Sequence, residues 1–233
     1  MPGANAQTVA EYAIFAAIAL LRQFRPVDTA LRSQGWVAGR AFADHSRDFG
    51  GRTLGIFGFG NIGRTLHRMA QGFGLTIASH TRSPQNLPPD VQALSLDKLV
   101  AASDILVLCA PLTDDTRGAL NAARIASLKP GAIVINVSRG PIIDTEALIP
   151  ALQSGRISAA LDVFDIQPLP MDSPLWTLPN VLLTPHVAGV TQDSMWRMGA
   201  ITADEVLRIL NGDLPLNFCN PEVEAAYRRR FPA

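Results

Sequence analysis

The segment TLGIFGFGNIGR, residues 53–64, restricts the fold more than any other part of the chain. A short apolar run at 53–57 leads directly into GFGNIG, which has the spacing GxGxxG, and residues 61–73 then carry apolar side chains at helical intervals. A second apolar run follows at 75–79. A strand, a glycine-rich turn, a helix and another strand in this order predict the βαβ unit that binds a dinucleotide.

Each glycine of the GFGNIG motif, residues 58–63, has a predicted role. Gly58 permits the tight turn, Gly60 permits close approach of a pyrophosphate, and Gly63 permits close packing of helix on sheet. Asn61 and Ile62 lie between them, where the N-terminus of the helix faces the phosphates. We therefore predict a cofactor site here, and the alternative is a glycine-rich turn without a ligand.

The rest of the chain repeats the alternation of strand and helix. Further strands are predicted at 105–110, 132–137, 158–164 and 181–184, and helices at 8–23, at 121–128 behind the cap residue Asn121, and at 145–154 before Gly155. Strands that are apolar on both faces and alternate with helices indicate a parallel sheet covered on both sides. The predicted fold class is α/β, with a Rossmann-type doubly wound sheet.

A last helix is predicted between the cap residue Thr191 and Gly212. We expect one apolar stripe of this helix to be buried, formed by Met195, Met198, Thr202, Val206, Ile209 and Leu210. We also expect Trp36, Trp176 and Trp196 to be packing residues, and His67 to lie on a helix surface.

Composition excludes some partners. With 233 residues, 48% hydrophobic residues and a formal net charge of zero, the chain can bury a sizeable core and has no electrostatic bias toward nucleic acid. The most apolar segment, 12–21, is too short to span a bilayer and lacks the basic leader of a secretory signal. Cys109 and Cys219 suggest no disulfide framework, and Cys109 is expected to be buried. We expect no membrane contact, no metal site and a reducing, cytoplasmic location.

The residues after the second strand bear on the choice of cofactor. An NAD site would place a carboxylate there for the ribose 2′-hydroxyl, but the sequence reads SHTRS at 79–83. Arg82 suits a 2′-phosphate, with Thr81 and Ser83 as hydrogen-bond donors. We predict NADP as the preferred cofactor. NAD stays open, because Arg82 could instead stack on the adenine.

Three later segments place polar side chains at predicted strand ends. INVSRGPIID contains Arg139, ALDVFDIQPLP contains Asp162 and Gln167, and LLTPHVAG contains His186. The ligand crevice of an open parallel sheet lies at the carboxyl ends of its strands. An arginine matches a carboxylate, and a histidine exchanges a proton near neutral pH. This set suits the reduction of a carbonyl.

These segments, together with GANAQTVAEYAIFAAIALLR and CAPLTDDTRG, make most of the chain resemble the D-isomer-specific 2-hydroxyacid dehydrogenase family, which includes glyoxylate/hydroxypyruvate reductases. The resemblance implies that Arg139 binds the carboxylate and carbonyl oxygen of a small 2-ketoacid. It implies that His186 protonates this oxygen as hydride arrives from the nicotinamide, and that Asp162 helps to hold the nicotinamide carboxamide. The other cofactor contacts that it implies are Ala110, Pro111, Thr116, Val137, Ser138, Arg139, His186 and Gly189.

The sequence departs from the family pattern in two ways. Family members usually begin with a flavodoxin-like half-lobe, of which only remnants are expected here: a connecting helix at 1–30, the dinucleotide-binding domain at 31–187, and a helix and tail at 188–233 that would return to the lobe. Part of the apolar surface of the first helix would then be exposed, so we predict a homodimer through this region. The second departure is Gln167, which aligns with the glutamate that usually orients the histidine.

Gln167 can orient a ring nitrogen of His186, but it supplies no charge to hold a proton there. We expect ketoacid reduction to fade at a lower pH than in a relative with glutamate. Two alternatives to a ketoacid reductase stay open. One is a non-catalytic dinucleotide-binding dimer, as in the C-terminal binding proteins, and the other is chemistry like that of formate dehydrogenases, which carry glutamine at this position.

Overall fold

Seven parallel strands form one sheet in the computed structural model, which describes residues 3–218 and 220–230. The strands are β1 (Thr53–Phe57), β2 (Thr76–His80), β3 (Val91–Ala93), β4 (Ile105–Leu108), β5 (Ile133–Asn136), β6 (Ser158–Leu161) and β7 (Val181–Leu183). Their order across the sheet is β3-β2-β1-β4-β5-β6-β7. This is the Rossmann order with one strand added, so the predicted α/β doubly wound fold is confirmed.

The central strands are buried because helices cover both faces of the sheet. Every residue of β4 and β5 is buried, which explains why these strands read as apolar runs, broken only by Asn136 at the end of β5. The predicted strand at 158–164 ends at Leu161, because the side chain of Asp162 turns into hydrogen bonds with a neighbouring loop. Strand β3 was not predicted, since it is short and only Val91 is buried.

The helices are α1 (Ala6–Leu21), α2 (Phe24–Gln34), α3 (Trp36–Arg40), α4 (Asn61–Ala70), α5 (Leu96–Ala102), α6 (Ala122–Ser127), α7 (Thr145–Gln153), α8 (Gln192–Leu210) and α9 (Glu224–Arg230). Two predicted caps are confirmed. The side chain of Asn121 accepts a hydrogen bond from the amide of Arg124 at 3.0 Å, and that of Thr191 accepts one from Ser194 at 3.1 Å. Helices α2, α3, α5 and α9 were not predicted. Within the described part of the chain, no helix is both long and apolar enough to cross a bilayer.

Helix α1 packs directly on the sheet. Its small residues Ala10, Ala13 and Ala17 lie in the same buried cluster as Ile56 of β1. Alanines at this spacing allow the helix backbone to approach closely. The side chain of Phe15, on the opposite face, is 60% exposed. The division of the chain at residues 30 and 187 stays a prediction.

The prediction of a buried stripe on α8 is wrong. Met195 is 55% exposed and Leu210 is 73% exposed, and Ser194 is the buried residue of this helix. Helical periodicity identifies an apolar face, but it does not say whether another element covers that face. Among the described residues, none buries the stripe.

Two other predictions about packing are also wrong. The three tryptophans are exposed rather than packed in the core: Trp36, Trp176 and Trp196. His67 is only 8% exposed, because its Nε2 lies 2.8 Å from the carboxylate of Asp90 and its ring faces Phe59. Cys109 is partly buried with its thiol against the carbonyl of Gly58, and Cys219 lies outside the described residues.

Candidate active site

The glycine-rich loop forms a tight cradle after β1. A Cβ on Gly58 would lie 2.6 Å from the backbone of Ala110, and one on Gly63 would lie 2.5 Å from the carbonyl oxygen of Gly58. Gly58 also has a φ of +96°, which disfavours side chains. Gly60, in contrast, faces open space. The loop is therefore closely packed behind and open in front, which fits a pyrophosphate at the N-terminus of α4.

A cleft of about 480 Å³ lies in front of this cradle, between β1 and β4, where the strand order reverses. It brings together these residues named in the sequence analysis: Gly58, Gly60, Thr81, Arg82, Ser83, Ala110, Pro111 and Thr116. Asn61, Ile62 and Gly63 form the first turn of α4 beside it. The cleft also includes Arg64 and Asp115, which sequence reasoning missed. Position alone could have suggested Arg64, since it follows the glycine motif directly.

The end of the cleft next to β2 is rich in donors. Thr81, Arg82 and Ser83 line it together with His80, whose ring is fixed by a hydrogen bond between Nδ1 and the carbonyl of Leu94 at 3.0 Å. The acidic residue among those that line the cleft, Asp115, lies on the loop after β4. At this end of the cleft the described lining residues therefore offer hydrogen-bond donors and no carboxylate.

The loop after β4 is shaped by internal hydrogen bonds. Thr116 Oγ1 donates to the carbonyl of Pro111 at 2.7 Å and accepts from the amide of Thr113 at 2.8 Å. Ser138, two residues after the end of β5, donates from its hydroxyl to the carbonyl of Ala110. These bonds fix the wall of the cleft opposite the glycine loop.

Arg139 follows β5 with its backbone locked and its side chain exposed. The buried amide of Asn136 donates to the carbonyl of Arg139 at 3.0 Å and accepts from the amide of Ser138 at 3.1 Å. Arg139 Nη1 donates to the carbonyl of Ser138 at 2.6 Å, which leaves its other guanidinium donors for a ligand. Sequence reasoning missed Asn136, although it ends an apolar strand. Val137, in the same turn, is buried.

His186 and Gln167 lie side by side at the same edge of the sheet. His186 Nδ1 is 3.2 Å from Gln167 Oε1, and Gln167 Nε2 donates to the carbonyl of Phe164 at 3.3 Å. Because the amide nitrogen is bound to a carbonyl, the amide oxygen must face the imidazole. The imidazole therefore carries a proton on Nδ1, and Nε2 is left to face a ligand.

Asp162 organises the loop that carries His186. It is only 2% exposed, and its Oδ1 accepts from the hydroxyl of Thr184 at 2.6 Å and the amide of Val187 at 2.8 Å. Its Oδ2 accepts from the amide of Ala188 at 2.9 Å, and its backbone carbonyl accepts from the amide of His186 at 2.8 Å. The carboxylate thus grips the loop on both sides of the histidine. Gly189, the next residue of this loop, packs against the N-terminal end of α1.

The cradle, Arg139 and His186 all lie at the carboxyl ends of the strands. Strand β6 separates the strands that carry Arg139 and His186, so their backbones are roughly 10 Å apart at the usual strand spacing. A sheet of this order, with a glycine cradle at its reversal point, defines a dinucleotide-binding protein of the Rossmann class.

Comparison with known proteins defines the family. Residues 14–188 match the family model "D-isomer specific 2-hydroxyacid dehydrogenase, NAD binding domain". A glyoxylate reductase of Korarchaeum cryptofilum is 36% identical over 227 residues, which are 95% of this chain and 68% of that protein. A glyoxylate/hydroxypyruvate reductase B of Enterobacter sp. is 35% identical over 229 residues, or 96% of this chain and 71% of that protein.

A solved structure is also similar. The D-isomer specific 2-hydroxyacid dehydrogenase of Xanthobacter autotrophicus Py2, in complex with NADPH and MES, superposes with a TM-score of 0.78 at 34% identity and covers 94% of this chain and 89% of that chain. The chain therefore belongs to the D-isomer-specific 2-hydroxyacid dehydrogenase family, whose members are NAD(P)-dependent oxidoreductases. The predicted family is confirmed, as is the prediction of a nicotinamide dinucleotide cofactor.

Proposed function

We propose that this protein reduces a small 2-ketoacid of the glyoxylate or hydroxypyruvate class to the D-2-hydroxyacid. The observation that supports this most is the pairing of His186 with Gln167 at 3.2 Å, which directs Nε2 of the histidine outward at the edge of the sheet that also holds Arg139. The substrate class is supported by the reductases that the chain resembles over 95% and 96% of its length.

Each residue has a separate task in the proposed reaction. The guanidinium of Arg139 binds the substrate carboxylate and polarises the carbonyl oxygen. A bound nicotinamide dinucleotide supplies the hydride that is added to the carbonyl carbon. His186, as the imidazolium with protons on both ring nitrogens, gives its Nε2 proton to the oxygen, and Gln167 keeps the ring oriented by accepting from Nδ1. Asp162 holds the loop in one conformation, so that His186 is already positioned when the substrate binds.

We further propose that the cofactor is held by the glycine cradle and by the donors after β2, with NADP preferred over NAD. Arg82 would pair with the 2′-phosphate, and Thr81 and Ser83 would donate to it. Support comes from the cleft, in which these three residues stand where an NAD site needs a carboxylate. The NADPH complex of the relative from Xanthobacter agrees with this preference.

Steady-state oxidation of NADPH with a panel of 2-ketoacids tests the proposed reaction. We expect turnover with glyoxylate or hydroxypyruvate, and a loss of about a hundredfold or more in kcat when His186 is replaced by Asn. The exposed residue His45 provides the matched control, since His45→Asn should leave kcat unchanged. Binding of NADPH without turnover of any ketoacid would contradict the proposal and favour the non-catalytic dimer. Turnover of formate with NAD would favour the alternative that Gln167 keeps open.

The cofactor preference has its own test. Arg82→Ala should lower the ratio of kcat/KM for NADPH to that for NADH by about tenfold or more, since a hydrogen bond to a charged group contributes roughly 1.5–3 kcal/mol. Arg32, which pairs with Asp28 on the surface of α2, gives the control Arg32→Ala with an unchanged ratio. A wild-type protein that uses NADH more efficiently would contradict the preference.

We also propose a homodimer that uses the region of α1. Phe15 on α1 and Phe24 on α2 are each 60% exposed, and Trp36 on α3 is 73% exposed. A second copy of the chain could cover these apolar side chains. Size-exclusion chromatography with light scattering should give twice the mass of the chain. Phe15→Asp should shift the protein toward the monomer, and a monomeric wild type would contradict the proposal.

A further inference from the structure

Helix α1 reaches the loop of His186 through one hydroxyl group. The phenol of Tyr12 lies 2.6 Å from Thr184 Oγ1, and Thr184 Oγ1 lies 2.6 Å from Asp162 Oδ1. Tyr12 and Thr184 are 172 positions apart in sequence, so this contact joins two distant parts of the chain. It forms a line of three polar groups that ends on the buried carboxylate.

The directions of these hydrogen bonds follow from the number of protons. Thr184 has one hydroxyl proton, and the carboxylate of Asp162 can only accept, so Thr184 donates to Asp162. Tyr12 must therefore donate to Thr184. Burial raises the pKa of the Tyr12 phenol, which favours the protonated form that this role requires. The hydroxyl of Thr184 thus accepts a hydrogen bond from Tyr12 and donates its own proton to the carboxylate of Asp162.

The carboxylate of Asp162 connects these hydrogen bonds to the loop that carries His186. Asp162 accepts from the amides of Val187 at 2.8 Å and Ala188 at 2.9 Å, directly after the histidine. We propose that Tyr12 is a positioning residue that acts through Thr184 and Asp162 to hold His186 in its reactive place. This inference rests on the proposed role of His186 as the proton donor.

Other contacts show that α1 is the support of this loop. A Cβ on Gly189 would lie 2.4 Å from the side chain of Asn5, which immediately precedes α1. Helix α8 follows this loop, and near its start Arg197 donates a hydrogen bond to the hydroxyl of Thr8 in α1 at 3.1 Å. Helix α1 and the residue before it thus contact this loop at Thr184 and at Gly189, on either side of the histidine, and Tyr12 supplies the hydrogen bond on the Thr184 side.

The variant Tyr12→Phe removes the hydroxyl and keeps the ring. We expect kcat to fall about fivefold, the ratio that corresponds to one lost hydrogen bond, while the KM values for ketoacid and NADPH change by less than about twofold. Amide hydrogen exchange of the segment 184–188 should become about fivefold faster, with unchanged exchange in the central strands. The other tyrosine of the chain gives the matched control, since Tyr227 donates to the carbonyl of Asp213 far from this loop, and Tyr227→Phe should change neither quantity.

A second set of variants separates the relay from simple packing. Thr184→Val should reproduce the fall in kcat, and Thr184→Ser should keep most of the wild-type kcat. Adding Tyr12→Phe to Thr184→Val should lower kcat little further, because both substitutions break the same chain of hydrogen bonds. Unchanged exchange at 184–188 in Tyr12→Phe would overturn the proposal, and so would additive effects of the two substitutions. Faster exchange throughout the protein would also overturn it, because that result indicates a general loss of stability. If the wild type turns over no ketoacid, locally faster exchange still supports the positioning role, and the proposed function alone fails.

Discussion

The substitution Gln167→Glu tests most directly how the site handles its proton. A carboxylate beside His186 favours the protonated imidazole, so the proton persists to higher pH than it does beside an amide. Ketoacid reduction needs this proton. We therefore expect the alkaline limb of the pH–rate profile to move upward in the variant, while the amide's hydrogen bond to the ring is replaced by one of similar length.

The size of the shift follows from the geometry. His186 Nδ1 lies 3.2 Å from Gln167 Oε1, so a glutamate in the same rotamer would place its charge about 4 Å from that of the imidazolium. Two unit charges at this distance attract by about 1 kcal/mol in bulk water and about 4 kcal/mol near a protein surface. Both side chains are exposed, so the lower value is the closer one. Since about 1.4 kcal/mol corresponds to one pH unit, we expect an upward shift of about 0.7 unit.

The assay is kcat for the best ketoacid between about pH 5 and pH 10, with NADPH saturating at each pH. Gln167→Met is the matched control, because it has a similar length and carries no charge. It should lower kcat by weakening the orientation of His186 and leave the alkaline midpoint where it is in the wild type. An unchanged midpoint in a folded, NADPH-binding Gln167→Glu protein would refute the assigned role of Gln167.

Three further predictions concern the support of the site. Gly63→Ala should weaken NADPH binding by about tenfold or more in a fluorescence titration, since the added Cβ would lie 2.5 Å from the carbonyl of Gly58; an unchanged Kd would contradict the tight cradle. The hydrogen bond from His67 holds the pKa of Asp90 below its ordinary value. The pair therefore stabilises the fold at pH values above the pKa that this carboxyl has in the unfolded chain. This stabilisation is lost as the pH falls through the lower pKa that the carboxyl has in the folded protein. The Tm difference between wild type and Asp90→Asn should therefore narrow from pH 6 to about pH 3, and a constant difference would count against the pair. Burial raises the pKa of the Cys109 thiol to about 12, so little thiolate forms near neutral pH although the residue lines the cofactor cleft. Mass spectrometry should therefore find its peptide alkylated by iodoacetamide much more slowly in the folded protein than in urea, and equally rapid alkylation of the folded protein would be the contrary result.

The parts of the fold that were predicted correctly are those with local signals. Asn121 and Thr191 mark helix starts because a cap is made by a side chain and an amide three residues away. The central strands β4 and β5 are apolar at every position except Asn136, the last residue of β5, and an apolar run can be recognised without knowing which elements lie beside it. The errors concern contacts between distant residues: His67 is buried because Asp90 supplies a partner, and Leu210 is exposed because no described element covers it.

In the candidate site, too, the features with local sequence signals were predicted and those that depend on distant contacts were missed. The glycine cradle was predicted because the role of each glycine can be recognised from the residues next to it in the sequence. Tyr12 and Thr184 carried no signal, since a tyrosine in an apolar helix and a threonine after a strand are both common. Their contact appears only when residues 172 positions apart come within 2.6 Å. Asn136 was missed for the same reason, because its amide holds the turn of Arg139 only in the folded chain.

Burial separates the residues proposed to react from those that hold them. Arg139, Gln167 and His186 are exposed, whereas Asn136 and Asp162 are almost completely buried and make several hydrogen bonds each. Replacing an exposed side chain leaves no polar partner stranded in the core, so its effect on stability should be small. Replacing a buried one leaves donors without acceptors and costs far more. The site can therefore carry an amide in place of a carboxylate at position 167 without loss of fold, and its proton chemistry can change while the loop that presents His186 stays the same.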